Sequence, residues 1–334
     1  MKKIKVAING LGRIGRAFLR EVARINTDKD TDKHGYEIEV VAVNDLGDKV
    51  NMEYLLKYDS VFGNSGCTLQ GIKYLSEKEP VKLPWGELGV DVVVESTGFF
   101  TSVEKSQGHI DAGAKRVVIT APIKDGTTIL MGLNEEKLGE AKVTSNASCT
   151  TNAASPIIAI LDEVVGIEKA VLNTVHAYTA TQALVDGPAG KKGLREGRAA
   201  AANIIPSSTG AAIAVTKAYP SLEGKFDGIS LRVPVICGSI ADITFIAKRD
   251  TSVEEINSAL TEAAKDKRWQ GIFAVAEDEL VSSDILGRPE GAIAELSMTR
   301  VVGGNLVKVL AWYDNESGYA AMLVKHVLEA GKHV

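Results

Sequence analysis

The chain has 334 residues, of which 45% are hydrophobic and 24% charged, with a formal net charge of -5 at pH 7. That length accommodates two ordinary cores, and the acidic balance gives no general reason to expect nucleic acid or an anionic membrane as a partner. No run approaches the roughly 18 apolar residues of a membrane span, and Met1 to Val6 leads into a strand without a signal-peptide block, so a cytoplasmic protein is expected.

Ile4-Lys5-Val6-Ala7-Ile8 reads as a short buried strand, and Asn9-Gly10-Leu11-Gly12-Arg13-Ile14-Gly15-Arg16 turns it into a helix reaching about Ile25. Strand, glycine turn and helix in that order fit a dinucleotide fingerprint. Gly10 permits the tight turn, Gly12 lets a pyrophosphate approach the backbone, and Gly15 packs the helix on the strand. An ordinary glycine turn is the alternative. The next strand, Glu37 to Val43, ends in Asn44-Asp45 and so places a carboxylate where a ribose diol would sit; a helix cap for Leu46 onward is the competing role. Asp45 lies 30 positions past Gly15 rather than about 20, an excess explained if the polar stretch Asn26 to Gly35 is a surface insertion. Further strands follow at Val90 to Glu95, ending in Ser96-Thr97-Gly98, and at Arg116 to Ile119, ending in Thr120-Ala121-Pro122. Strands alternating with helices imply a parallel sheet covered on both faces, with ligands at the carboxyl ends of the strands. Thr97 and Thr120 then line the same edge as Gly12 and Asp45, or serve only as strand-end turn residues.

A last strand, Val143-Thr144, delivers the chain to Ser145-Asn146-Ala147-Ser148-Cys149-Thr150-Thr151-Asn152. A thiol among hydroxyls and amides near a helix start has its thiolate stabilised, which marks Cys149 as a candidate nucleophile. If the apolar helix Ala153 to Val165 begins at Thr150, its unpaired amides point at the sulfur. Alternatively Ser155 is the cap and Pro156 the first helical residue. The other cysteines, Cys67 and Cys237, are widely spaced, which suits neither a disulfide framework nor a metal site.

Beyond this helix, Ala170 to Tyr178 reads as a strand with Leu172, Thr174, His176 and Tyr178 on one face. His176 precedes a long loop and is either a hydrogen-bonded core residue or a catalyst. Thr179 to Ile205 is that loop, with glycines at 187, 190, 193 and 197; such length points to a functional or interfacial segment. Ile229 to Val233, Ala241 to Ala247 and Leu306 to Tyr313 look like strands of an antiparallel sheet, so the second half reads as α+β. Tyr319 to Ala330 is read as an amphipathic helix, capped by Ser317 and stopped at Gly331.

Five stretches in order resemble the phosphorylating glyceraldehyde-3-phosphate dehydrogenase family over nearly the whole chain. They are the fingerprint Asn9 to Arg16, Leu56-Lys57-Tyr58-Asp59-Ser60-Val61, Trp85-Gly86-Glu87-Leu88-Gly89-Val90-Asp91, Ser145 to Asn152, and Trp312-Tyr313-Asp314-Asn315-Glu316. The resemblance implies an α/β chain: a Rossmann-type parallel-sheet NAD domain over 1–148 with the C-terminal helix 315–334, and an α+β catalytic domain with a mainly antiparallel sheet over 149–314. It implies that the helix begins at the nucleophile, with Pro156 further in. It implies Cys149 as nucleophile with His176 as partner, and NAD held by Gly10, Gly12, Arg13, Ile14, Asp45, Lys78, Thr97, Thr120 and Asn315. Ser148, Thr150, Thr179, Thr209, Gly210 and Arg232 match positions that hold the substrate's phosphate and the attacking inorganic phosphate.

The reaction so implied is glycolytic: D-glyceraldehyde 3-phosphate, NAD and inorganic phosphate give 1,3-bisphosphoglycerate through a cysteine thiohemiacetal and thioester. No metal is expected, and a homotetramer is implied. Asp45 and Pro188 agree with NAD rather than NADP preference. Ala153 stands where the family often has a second cysteine, Lys78 where arginine is common, and Val235-Ile236-Cys237-Gly238-Ser239 departs from the commoner pattern. Erythrose-4-phosphate dehydrogenase of the same fold and a non-catalytic moonlighting binding protein are the rival readings.

Overall fold

A computed structural model describes residues 2–27, 35–189 and 193–334. The chain divides into two compact units, Met1–Ser148 with Ala320–Val334, and Cys149–Tyr319. Positions 28–34 of the expected insertion and Gly190 of the long loop lie outside the described residues.

In the first unit the elements are β1 (Lys2–Asn9), α1 (Arg13–Thr27), β2 (Tyr36–Asn44), α2 (Lys49–Lys57), a short hairpin of β3 (Tyr58–Asp59) and β4 (Gly63–Asn64), and β5 (Lys73–Leu75). There follow α3 (Trp85–Leu88), β6 (Val92–Glu95), α4 (Val103–Asp111), β7 (Arg116–Ile119), β8 (Thr127–Thr128) and β9 (Val143–Ser145). The sheet runs β5-β2-β1-β6-β7-β9-β8, and every pairing in it is parallel. All four residues of β6 and of β7 are buried, as expected for strands covered on both faces. The strand order reverses between β1 and β6, the place where a doubly wound sheet opens a ligand crevice.

The fingerprint glycines have distinct steric reasons. Gly10 has φ 98°, and a Cβ there would lie 2.7 Å from the Thr97 amide nitrogen. A Cβ on Gly15 would lie 2.2 Å from the Gly10 carbonyl oxygen, whereas one on Gly12 would meet nothing within 4 Å. Gly15 thus lets α1 sit tight on the turn, and Gly12 faces open space.

In the second unit come α5 (Cys149–Val164), β10 (Ile167–Ala177), β11 (Ile205–Ser208), α6 (Ala211–Ala218), β12 (Phe226–Val233), β13 (Ser239–Ala247), α7 (Val253–Ala263), β14 (Phe273–Val275), β15 (Ala292–Val302) and β16 (Leu306–Tyr313). α8 (Ser317–Lys332) begins here and continues into the first unit's C-terminal segment. The sheet order is β11-β12-β10-β13-β16-β15-β14. Two of its pairings are parallel, β10 with β12 and β14 with β15, and the rest are antiparallel.

α5 starts at Cys149 and carries Pro156 inside it, so Ser155 is not its cap. Proline has no N–H for the Asn152 carbonyl four residues back; the Ser155 hydroxyl donates to that carbonyl instead, at 3.4 Å. Every residue from Thr150 to Leu161 is buried, which suits a helix that is apolar all round. Each fully buried isoleucine or leucine there contributes about 1.5–3 kcal/mol relative to exposure.

The C-terminal helix differs from expectation in three respects. It is buried on nearly all sides rather than amphipathic. Ser317 lies inside it, and Asp314 Oδ1 accepts from the Glu316 and Ser317 amides, at 2.8 Å each, in the capping role. Gly331 does not stop it. That residue is a packing glycine, where a Cβ would come within 2.4 Å of Ile4 Cδ1.

Candidate active site

Cys149 is the first residue of α5, where helix amides lack intrahelical partners and the dipole is positive. His176 comes from β10, whose alternation buries Ala170, Leu172, Thr174 and His176 on one face. Cys149 Sγ and His176 Nε2 are 3.4 Å apart, and His176 is buried while the cysteine is partly exposed. Burial pushes the thiol pKa up; the Arg232 charge, the Thr150 hydroxyl and the Thr150 and Cys149 amides pull it down. Burial is the larger effect. A lone thiolate is therefore disfavoured here.

Parallel pairing of β10 and β12 sets Arg232 directly beside His176. Its Nη1 lies 2.7 Å from His176 Nδ1 and 3.1 Å from the Ala177 carbonyl, and that carbonyl is also 2.6 Å from Nδ1. One ring nitrogen cannot donate and accept together. With the proton on Nδ1, that nitrogen donates to the Ala177 carbonyl and Nε2 is the acceptor facing Cys149; Nδ1 accepts from Arg232 only in the tautomer protonated on Nε2, which cannot take a proton from the thiol.

Of the remaining predicted anion-holding residues, the structure spreads the roles unevenly. The Thr150 hydroxyl is buried against Tyr313 Oη at 2.8 Å, and its amide lies at the helix start beside the Cys149 thiol. Thr179 is held by Gln182, whose Oε1 accepts its amide at 2.9 Å. The Thr209 hydroxyl accepts the Ala211 amide at 3.2 Å, and Gly210 immediately precedes α6 with open space at its Cα. Ser148, half-buried, is the last residue of the first unit.

Three contributors were not singled out from sequence. Tyr313 bridges Thr150 and Thr174, at 2.8 and 2.7 Å, and sets its ring edge-on to His176 at 5.9 Å. Gln182 in turn bonds Glu196, a buried carboxylate that also accepts from Ser207. The period-2 pattern of β16 marks Tyr313 as inward, but nothing in the sequence marks the Glu196 link.

The first unit gathers the predicted dinucleotide residues along the carboxyl ends of β1, β2, β6 and β7. Asp45 accepts from the Leu11 amide at 2.6 Å and the Gly47 amide at 2.7 Å. It is not a helix cap, since Asp48 caps α2 through the Asn51 amide. Thr97 donates its amide and hydroxyl to Glu95, and Thr120 donates both of its own to the Glu95 carbonyl. Ile14 is half-buried in the first turn of α1, and Lys78 is exposed on the segment after β5. Arg13 pairs with Asp59 at 2.6 Å. Exposed Leu46 and Phe99, which the sequence reading did not single out, stand beside Asp45 and Thr97. In the second unit, Asn315 Oδ1 accepts from the Gly238 amide and Ser239 hydroxyl, leaving Nδ2 as its donor end. Among the described residues there is no cluster of three metal-ligating side chains, and no helix is long and apolar enough to cross a membrane.

Comparison with known proteins shows the family. A model described as "Glyceraldehyde 3-phosphate dehydrogenase, NAD binding domain" matches residues 4–103, and one described as "Glyceraldehyde 3-phosphate dehydrogenase, C-terminal domain" matches 148–315. Glyceraldehyde-3-phosphate dehydrogenase of Streptomyces coelicolor is 46% identical over 345 residues, covering 99% of each chain. Those of Mycolicibacterium smegmatis and Mycobacterium tuberculosis are also 46% identical, over 98% of this chain and 99% of theirs. The chain therefore belongs to the glyceraldehyde-3-phosphate dehydrogenase family and is an NAD-dependent phosphorylating dehydrogenase.

Proposed function

We propose that Cys149 is the nucleophile and His176 its acid-base partner, a reading carried by the 3.4 Å Sγ to Nε2 approach at the start of α5. His176 takes the thiol proton, and the thiolate adds to the aldehyde carbon of glyceraldehyde 3-phosphate. The resulting oxyanion is met by the amides at the helix start and by Nε2–H, which protonates it to the thiohemiacetal. Neutral His176 then removes that hydroxyl proton, because an alkoxide-like oxygen is needed to expel hydride. NAD, when bound, supplies the acceptor for that hydride. The remaining thioester on Cys149 is opened by inorganic phosphate, giving 1,3-bisphosphoglycerate and the free thiol. Arg232, Thr179, Thr209, Gly210, Ser148 and the Thr150 amide hold the two phosphate groups, since they donate hydrogen bonds without competing as nucleophiles.

NAD fits the edge of the first unit. Open space at Gly12 and the amides at the start of α1 suit a pyrophosphate. The Asp45 carboxylate keeps lone pairs for a ribose diol, and exposed Leu46 and Phe99 offer apolar contacts for a base. Gly10, Arg13, Ile14, Lys78, Thr97 and Thr120 complete this set, and Asn315 Nδ2 suits the nicotinamide carboxamide. A 2'-phosphate would meet the Asp45 charge, so NADP binds poorly. The first unit thus serves as the NAD domain and the second as the catalytic domain.

The protein acts as a cytoplasmic homotetramer in this reading. Exposed Val171, Ile229 and Val302 on the sheet of the second unit, and Leu184, Val185 and Leu194 in the long loop, are apolar surface that suits further copies. NAD reduction with glyceraldehyde 3-phosphate tests the function: it should turn over with inorganic phosphate and stall after one equivalent without it. Phosphate-independent turnover, or preference for the four-carbon aldose phosphate, would overturn the assignment.

A further inference from the structure

Beneath the dinucleotide edge lies a closed network of buried side chains that no step of the chemistry uses. Trp85 on α3 and His109 on α4 are wholly buried, and Asn9, Asn44 and Glu95 are at most 4% exposed. Three obligate donors fix its polarity. The Glu77 amide donates to Asn44 Oδ1 at 2.8 Å, so Asn44 Nδ2 is the donor to Asn9 Oδ1 at 2.7 Å. Asn9 Nδ2 must then be the donor to Glu95 Oε2, at 2.6 Å. The Thr97 amide makes Glu95 Oε1 an acceptor at 2.9 Å. The indole N–H of Trp85 makes His109 Nδ1 an acceptor at 2.9 Å, so the ring proton sits on Nε2 and points to Glu95 Oε2, 3.1 Å away.

Each end of this network is one bond or one residue from the cofactor edge. Asn9 precedes Gly10, Asn44 precedes Asp45, Glu77 precedes Lys78, Glu95 holds the Thr97 amide and hydroxyl, and the Glu95 carbonyl holds Thr120. The Gly10 amide also donates to the Asn44 carbonyl at 2.8 Å.

We propose that His109 is a positioning residue for NAD: its Nε2–H, with the tautomer set by Trp85, locks Glu95, and Glu95 locks the Gly10, Thr97 and Thr120 edge in its binding form. This rests on the reading that NAD lies along that edge. Without the imidazole donor, Glu95 Oε2 keeps only Asn9, and the Thr97 turn is free to rotate away. Preorganisation is lost, and it is read as affinity.

Two amide variants separate this role from general packing. His109→Gln places a carboxamide N–H where Nε2–H stands, keeping the bond to Glu95. His109→Asn places an amide oxygen where Nδ1 stands, keeping Trp85 but abandoning Glu95. Calorimetric NAD titration of the full-length protein should show the dissociation constant about tenfold higher for His109→Asn and within about twofold of wild type for His109→Gln. Alkylation of Cys149 by iodoacetamide without NAD should be unchanged in both. Equal loss in the two variants, or wild-type affinity in His109→Asn, overturns the proposal. Should a variant not fold, ring nitrogen-15 shifts of His109 in the wild-type protein decide. A bare Nδ1 with protonated Nε2 agrees, and a protonated Nδ1 refutes. Asp45→Asn is the reference: if it leaves NAD affinity intact, the location of the cofactor is wrong, whereas if it alone weakens binding, only the role of His109 is.

Discussion

Replacing His326 by glutamine should change how the protein responds to acid. The ring is wholly buried on α8, with Nε2 2.9 Å from the Thr144 hydroxyl and Nδ1 3.1 Å from Asn146 Oδ1. Burial, and next the Arg116 charge, lower its pKa from 6.5 to about 3. Below pH 6.5 the unfolded chain takes up a proton that the folded chain refuses until about pH 3, so stability falls as pH falls through that window. Each pH unit costs about 1.4 kcal/mol, or roughly 2–3 kcal/mol between pH 6.5 and 4.5. Glutamine carries no such proton. His326→Gln should lose about 1 kcal/mol at pH 7.5 through imperfect hydrogen bonds, yet lose about 2 kcal/mol less than wild type on moving to pH 4.5. Urea unfolding followed by tryptophan fluorescence measures both, and the remaining titrating groups cancel in the comparison. Parallel acid profiles for the two proteins would refute the reasoning.

Three other outcomes are expected. Gly10→Ala forces a side chain at φ 98° against the Thr97 amide and should cost about 2–3 kcal/mol in urea unfolding and weaken NAD at least about tenfold by calorimetry; unchanged binding would contradict the fingerprint. Burial acts to raise the Asp59 pKa, but the Val61 and Phe62 amides with Arg20 and Arg13 outweigh it and bring it to about 2. Its contribution is therefore complete above about pH 4 and lost as pH falls through 2, so Asp59→Asn should cost about 1–2 kcal/mol at pH 7, discounted for solvent around Arg13, and progressively less as pH falls from 4 through 2. Peroxide should carry Cys149 to sulfenic acid or a mixed disulfide with added thiol, because Ala153 stands one turn on and buried Cys237 has its thiol pKa pushed up by burial and Asp314. Peptide mass spectrometry finding a link from Cys149 to Cys67 or Cys237 would sink this.

Local patterns carried much of the fold. The glycine spacing from 10 to 15 encodes steric demands that appear directly as approaches of 2.7 and 2.2 Å, and alternation in β10 put His176 on the inward face. Composition could not say whether α5 began at Thr150 or at Pro156, because the Ser155 bond that relieves Asn152 depends on a folded helix. The C-terminal helix was misread as amphipathic because small residues such as Ala320, Ala321 and Gly331 let packing surround it. Long-range polar links were not legible at all. Nothing about Trp85, Glu95 and His109 in one dimension says that they meet, nor that Asp59 lies beside Arg13.

Mass analysis of the protein mixed with NAD and glyceraldehyde 3-phosphate, in the absence of inorganic phosphate, bears most directly on Cys149 as the acyl carrier. A phosphoglyceroyl adduct should accumulate on the peptide containing Cys149, disappear when phosphate is added, and fail to form in His176→Asn at the same mixing time. An adduct on Cys67 or Cys237 instead, or full wild-type acylation in His176→Asn, would contradict the thiolate-imidazolium account.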